Sequence, residues 1–175
     1  MVMIRQAEKP EDTEPRSGEL QAVWSALETV TDPEIPVLSV VEMGIIADAR
    51  IANGHVTVEM TPTFAGCPAL DVMRKNISEA VRSAGFDDVR VDVVFDPPWT
   101  SDRITAQGRR KLKEFGLAPP GRACGEISEE SLSRVNCPFC DSADTTLESI
   151  FGPTLCRAIH YCNSCLQSFE QFKPV

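Results

Sequence analysis

Two Cys-x-x-Cys pairs near the C-terminus constrain the fold of this chain more than any other feature. The pairs are Cys137-Pro138-Phe139-Cys140 and Cys162-Asn163-Ser164-Cys165, with 21 residues between them. Such a turn points two sulfur atoms at one position, and two turns supply the four thiolates of a tetrahedral metal ion. The pairs therefore predict a metal site, with zinc as the first choice and iron as the second, since both accept four sulfur ligands.

The metal would replace a hydrophobic core in this part of the chain. About 45 residues bury too little apolar surface to fold alone, and a bound ion supplies the missing stability. Cys156 and His160 are alternative ligands, but four cysteines already complete a structural zinc site. Three strands are predicted around the pairs, at Thr145 to Ile150, Arg157 to Tyr161 and Gln167 to Phe172. Residues 126–175 are therefore predicted to form a small all-β zinc ribbon.

Residues 19–99 have the pattern of a compact α+β domain. Apolar residues recur at helical spacing from Leu20 to Val30 and from Leu70 to Ala84. Two strand-like stretches flank Asn53-Gly54, a strong hairpin signal, and Val89 to Phe95 alternates as a third strand. The order α-β-β-α-β predicts a two-layer domain in which helices cover one face of a small sheet.

A stiff acidic turn follows the first predicted helix, in the stretch Thr31-Asp32-Pro33-Glu34-Ile35-Pro36. Each proline fixes its own backbone angle and moves the preceding residue out of the helical region, so Asp32 and Glu34 are held in fixed directions. Capping of the turn explains the first carboxylate. It explains the second less well, and the pair is therefore a candidate part of a site.

The stretch Thr61-Pro62-Thr63-Phe64-Ala65-Gly66-Cys67-Pro68 delivers one cysteine to the start of the second predicted helix. Unpaired N–H groups and the helix dipole stabilise a thiolate there, whereas the alternative is a small residue that packs a turn. A cysteine nucleophile needs a histidine base, and the sequence places neither His55 nor His160 at this loop. The Cys67 thiolate, with the hydroxyls of Thr61 and Thr63, is predicted instead to hold a soft metal or an iron–sulfur cluster transiently.

The net charge of −9 is unevenly distributed. Residues 100–125 contain six basic and two acidic residues, and they are predicted to form a basic helix followed by the linker Ala118-Pro119-Pro120-Gly121. Ser101 or Asp102 is the predicted cap of this helix. The charged helix face is either ordinary solvated surface or a docking surface. Because the rest of the chain is acidic, nucleic-acid binding is disfavoured and a protein partner is favoured.

The N-terminal residues and the apolar runs indicate where the protein resides. Residues 1–18 have no hydrophobic period and are predicted to be a flexible leader. No apolar run approaches the ~20 residues of a membrane span, and Met1-Val2-Met3-Ile4 is too short for a secretory signal. We therefore expect a cytoplasmic protein that does not bind membranes. Exposed strand edges would also allow a homodimer.

The acidic turn, the following Met43-Gly44-Ile45-Ile46 and the Cys67 stretch resemble the signature of the SufT-like domain family, which is associated with iron–sulfur assembly. The resemblance covers about Leu20 to Phe95. The continuation Asp96-Pro97-Pro98-Trp99-Thr100, the Gly108-Arg109-Arg110-Lys111-Leu112 helix and the four-cysteine tail resemble the PaaD-type members of that family, which serve phenylacetate degradation.

This resemblance implies an accessory component of the multicomponent phenylacetyl-CoA epoxidase, with its oxygenase and reductase subunits as protein clients. The sequence has no Glu-x-x-His pair for a di-iron site and no Gly-x-Gly-x-x-Gly motif for a dinucleotide, so we expect no oxidation of substrate by this subunit itself. The implied role is assembly or repair of a metal centre, with Cys67 as the transfer thiol and Asp32 and Glu34 lining its site. An obligatory subunit of the monooxygenase complex is the alternative, and a nucleic-acid-binding ribbon is less favoured.

Overall fold

The computed structural model of the protein describes residues 18–64, 69–122, 129–133 and 135–175. The first domain contains, in chain order, α1 (Gly18–Glu28), β1 (Ile46–Ala52), β2 (His55–Met60), α2 (Leu70–Ser83) and β3 (Val89–Val93). The α+β class and the order α-β-β-α-β predicted from the sequence are confirmed.

The first sheet has the strand order β1-β2-β3. β1 and β2 pair antiparallel through the turn at Asn53 and Gly54, whose φ angles of 53° and 78° suit a tight hairpin turn. β2 and β3 pair parallel, which requires a crossover, and α2 provides it. Val56, Val58 and Met60 of β2 are fully buried because this strand lies in the middle of the sheet.

The two helices of the first domain pack against each other and against the sheet. α1 buries Val23 and Leu27, four residues apart, and α2 buries Met73, Ile77 and Val81 at the same spacing. This spacing places the apolar side chains on one face of each helix. The helices therefore form the second layer of the domain, as the sequence predicts.

The segment that follows β3 begins with a short 3-10 turn at Ser101–Arg103, followed by α3 (Ala106–Glu114). The sequence suggests Ser101 or Asp102 as the cap of this helix, and that expectation is wrong. Thr105 is the cap, since its hydroxyl accepts a hydrogen bond of 3.0 Å from the Gly108 N–H. Ser101 is instead fully buried and binds the C-terminal residue.

The second module is a four-stranded sheet of β4 (Leu117–Ala118), β5 (Thr145–Ser149), β6 (Arg157–Cys162) and β7 (Ser168–Phe172). Its order is β4-β7-β6-β5, and a short α4 (Glu129–Ser133) precedes β5. The three predicted ribbon strands are present. β4 lies in the segment interpreted as basic helix and linker, and it pairs parallel with β7 because the linker runs along the edge of the ribbon.

The ribbon is docked on the first domain through its last strand. Phe172 of β7 is fully buried and belongs to the hydrophobic core of the first domain, where its ring centroid lies 6.0 Å from that of Trp99. The carbonyl of Val175 accepts a hydrogen bond of 2.8 Å from the Ser101 N–H. The ribbon therefore shares the core of the first domain through Phe172, and it also has a small cluster of its own, formed by Ala118, Val135, Cys137, Cys162 and Phe169. No helix in the described parts of the chain is long and apolar enough to cross a bilayer.

Candidate functional site

The sulfur atoms of Cys137, Cys140, Cys162 and Cys165 converge within 4.8 Å of one another. Sγ of Cys137 lies 3.7 Å from Sγ of Cys165, and Sγ of Cys140 lies 3.6 Å from Sγ of Cys162. A tetrahedral zinc ion with Zn–S bonds of ~2.3 Å requires sulfur–sulfur distances of about 3.8 Å. These residues therefore fit a four-thiolate metal ion, and the predicted metal ligands are brought together.

The backbone conformation of the two cysteine turns directs their sulfur atoms toward the metal site. The residue after each pair, Asp141 or Leu166, has a φ angle near 60°, a left-handed conformation that turns the chain back toward the sulfur atoms. The N–H of Cys165 points at Sγ of Cys162 over 3.5 Å. N–H groups of this kind stabilise negative sulfur, which a four-thiolate site needs.

The pKa values of the thiols indicate that a bound metal ion would displace protons from the sulfur atoms. Backbone N–H groups of Cys165 and Ser164 lower the pKa of Cys162 to about 7. Loss of solvent and the neighbouring thiols raise the pKa of Cys165 to about 12. Four adjacent sulfurs cannot all ionise without a cation between them, so metal binding must release protons.

Asp32 caps the acidic turn, as the sequence predicts. Its Oδ1 accepts hydrogen bonds from the N–H groups of Glu34, at 2.8 Å, and Ile35, at 2.9 Å. Asp32 is buried, and this burial raises the pKa of its carboxyl above the ordinary value, although the two N–H groups and the charge of Arg157 oppose the shift. The turn therefore holds a carboxyl group that is more easily protonated than a surface aspartate.

The ribbon contacts this turn, which sequence reasoning missed. Nη2 of Arg157 donates a hydrogen bond of 2.7 Å to the main-chain carbonyl of Glu34. Next to it, Cys156 is half-buried, and burial raises the pKa of its thiol, as do the charges of Glu34 and Asp32. The contact joins residues 123 positions apart, and no local pattern in the sequence signals it.

Cys156 and His160 are not part of the four-cysteine cluster found among the described residues. Sγ of Cys156 lies 3.1 Å from the hydroxyl of Thr154. His160 is fully buried, stacks on Phe169 and pairs its Nε2 with Oε1 of Gln171 at 2.9 Å. The histidine therefore contributes to the packing of the ribbon.

Thr61 and Thr63 are the first and third residues after the end of β2. Thr61 is buried, and its hydroxyl has no hydrogen-bond partner within the described part of the chain. Its N–H binds the carbonyl of Ile45 at 2.8 Å. Cys67 itself lies outside the described residues, so its role stays a prediction, and Cys124 lies outside them as well.

Basic side chains of α3 bind other parts of the same chain. Arg109 donates hydrogen bonds to the carbonyls of Pro120 and Ser101, at 2.6 and 2.7 Å. Lys111 pairs with Glu42 of the first domain at 2.7 Å, and Lys113 pairs with Asp141 of the ribbon. Three of the cations on α3 therefore stabilise the junction between the modules.

The two modules match two protein families. Residues 20–93 match the family described as iron-sulfur cluster assembly protein, and residues 123–173 match the PaaD zinc beta ribbon domain. Over 159 residues, the chain is 38% identical to an Escherichia coli (strain K12) protein named as a putative subunit of 1,2-phenylacetyl-CoA epoxidase. That alignment covers 90% of this chain and 94% of the relative. The chain belongs to the PaaD family.

The first domain of this PaaD-family protein also has separate relatives. It is 39% identical over 88 residues to an Fe-S protein maturation auxiliary factor of Porphyromonas gingivalis, covering 49% of this chain and 83% of that one. It also resembles the crystal structure of a DUF59 domain from Bacillus anthracis, with a TM-score of 0.51 and 25% identity. That match covers 54% of this chain and 91% of the other.

Proposed function

We propose that this PaaD-family protein is an accessory factor that matures a metal centre of the multicomponent phenylacetyl-CoA epoxidase. Its clients are the oxygenase and reductase subunits, and the iron–sulfur cluster of the reductase is the first candidate cargo. The observation that carries the proposal is the docking of a domain similar to Fe-S maturation factors against a ribbon similar to that of an epoxidase subunit. The chain itself acts as a carrier and positioning protein.

In this proposal Cys67 is the transfer thiol. A single thiolate holds a cluster only transiently, because a stable cluster has four protein ligands, and the client completes the set. Asp32, Glu34, Thr61 and Thr63 line the transfer site. The buried hydroxyl of Thr61, which has no hydrogen-bond partner among the residues that the structure describes, supports this assignment, since such a group is costly unless a ligand or a neighbouring loop satisfies it.

The ribbon holds the second metal and orients the client. Cys137, Cys140, Cys162 and Cys165 would bind Zn²⁺, which stabilises the ribbon fold and takes no part in transfer. Three cations of α3 bind other parts of the chain, so the ribbon surface is the better candidate for docking. Phe139 and Leu166 are exposed beside the metal ligands and supply apolar contact area for a protein partner.

The decisive experiment is co-expression of the epoxidase reductase subunit with wild type, Cys67→Ala or no accessory protein. We expect the iron content and activity of the reductase with Cys67→Ala to fall to the level without the accessory protein. Cys124→Ala is the matched control, because it also removes one cysteine that is not among the four predicted metal ligands, and it should support full loading. A fully loaded, active reductase made beside Cys67→Ala would show that the transfer role is wrong.

An obligatory structural subunit is the second candidate, because the 38% identical relative is named as a subunit of the epoxidase. In that case the protein should co-purify with the oxygenase in a fixed ratio. It should also be required for turnover by an epoxidase whose metal centres are already loaded. A maturation factor would be dispensable at that stage.

A further inference from the structure

Arg157 connects the ribbon to the acidic turn of the first domain. One end of its guanidinium donates to the Glu34 carbonyl at 2.7 Å, and the other end pairs with Oε2 of Glu170 at 2.7 Å. The side chain is only 12% exposed. Because Glu170 lies on β7, its ion pair with Arg157 fixes the guanidinium relative to the ribbon. The same guanidinium donates to the carbonyl of the turn.

The strand that carries this arginine also carries a metal ligand. β6 begins at Arg157 and ends at Cys162, and it lies between β5 and β7 in the sheet. A strand of this length spans about 17 Å. A ribbon of this size depends on its metal to fold, so the metal at one end of β6 fixes the position of the guanidinium at the other end.

The same end of β6 also changes the electrostatics of the turn. The positive charge of Arg157 acts on the buried carboxyl of Asp32 and opposes the effect of burial. The charges of Glu34 and Asp32 raise the pKa of the Cys156 thiol, and the main-chain N–H of Lys173 donates a hydrogen bond of 2.9 Å to the Cys156 carbonyl. The ribbon therefore supplies a cation and a thiol to a turn that belongs to the first domain.

We propose that Arg157 is a positioning residue through which the metal of the four-cysteine centre controls the geometry of the acidic turn. The biological meaning of this coupling rests on the proposed function, because it makes the transfer site competent only when the ribbon is loaded. The coupling itself is a property of this chain alone. It can be measured without a client.

The test is hydrogen exchange, followed by mass spectrometry, of a peptide that contains the turn, in the full-length zinc-loaded protein. Removing zinc with a chelator should speed exchange of the Glu34 and Ile35 amides about tenfold, the effect of losing one charge-assisted hydrogen bond. Arg157→Gln should give a similar increase with zinc bound, and chelation should then accelerate exchange of the turn less than it does in wild type. Arg157→Lys should restore part of the protection, since an ammonium group also donates to a carbonyl.

Arg109→Gln is the matched control. Arg109 also donates hydrogen bonds to two main-chain carbonyls at the junction of the modules, but neither carbonyl belongs to the acidic turn. This variant should leave the exchange of the turn, and its response to chelation, unchanged. Glu170→Gln gives a second route should Arg157→Gln fail to fold, because it loosens the brace and keeps the guanidinium, and it should raise exchange by an intermediate amount.

Two results would overturn the proposal. One is equal acceleration of turn exchange by chelation in wild type and in Arg157→Gln, which would mean that the signal travels through the shared core. The other is a turn that does not respond to chelation while the ribbon peptides do. Normal loading of a client by Cys67→Ala would refute the proposed function and leave the coupling standing, so the two failures are distinguishable.

Discussion

Truncation of Phe172 should destabilise both modules, because this ribbon residue is part of the core of the first domain. Its side chain is fully buried and packs beside Trp99. A phenylalanine buries roughly 150–250 Å², which at ~25 cal/mol per Å² corresponds to at most about 4–6 kcal/mol. Core phenylalanine-to-alanine changes cost about 3–5 kcal/mol. We expect Phe172→Ala to lower the free energy of unfolding by about 3–5 kcal/mol.

The assay is urea unfolding of the zinc-loaded protein, followed in parallel by tryptophan fluorescence and by zinc release. Trp24 and Trp99 report on the first domain, whereas zinc release reports on the ribbon. Both midpoints should fall together in Phe172→Ala. Phe151→Ala is the control, since this ribbon phenylalanine is 70% exposed and its loss should cost less than about 0.5 kcal/mol. An unchanged fluorescence midpoint in Phe172→Ala would refute the shared core.

Two further predictions concern the acidic turn and the metal centre. Asp32→Asn keeps the oxygen that accepts the N–H groups of Glu34 and Ile35 but removes the charge. Because burial raises the pKa of Asp32, its contribution to stability should fall as pH rises from about 4 through the raised pKa, so the stability of wild type relative to Asp32→Asn should decrease over that range. Denaturation at several pH values between about 4 and 7 measures this, and an equal loss of stability at every pH would contradict it. Cys137→Ser should lower the amount of bound zinc and unfold the ribbon, which metal analysis and circular dichroism measure. An undiminished zinc content would exclude the four-cysteine site. Cys156→Ser is the control and should retain the metal.

The secondary structure can be predicted because each signal is local. The hairpin follows from Asn53-Gly54, the helices from apolar residues at three- and four-residue spacing, and the metal ligands from two Cys-x-x-Cys turns. The exact ends of the elements follow less well. The cap of α3 is Thr105 and not Ser101 because the C-terminus recruits Ser101, a competitor that lies 74 residues away.

Some features of the candidate site can likewise be predicted from the sequence, and others cannot. The capping role of Asp32 and the choice of four cysteines over Cys156 or His160 follow from turn chemistry and from the coordination number of zinc. For the basic helix, the sequence does not decide between solvated surface and docking surface. Its charges instead bind Glu42, Asp141 and main-chain carbonyls, partners that no spacing rule along the helix predicts.

The sequence by itself therefore determined the two modules, their elements and the four-cysteine centre, because these depend on periodicity, turns and spacing within short stretches. Only the tertiary structure decided how the modules meet. Phe172 of the ribbon is buried in the core of the first domain, and Arg157 of the ribbon donates a hydrogen bond to the carbonyl of Glu34 in the acidic turn. Such contacts depend on the complementarity of two folded surfaces, and this property is not encoded in any single stretch of the chain.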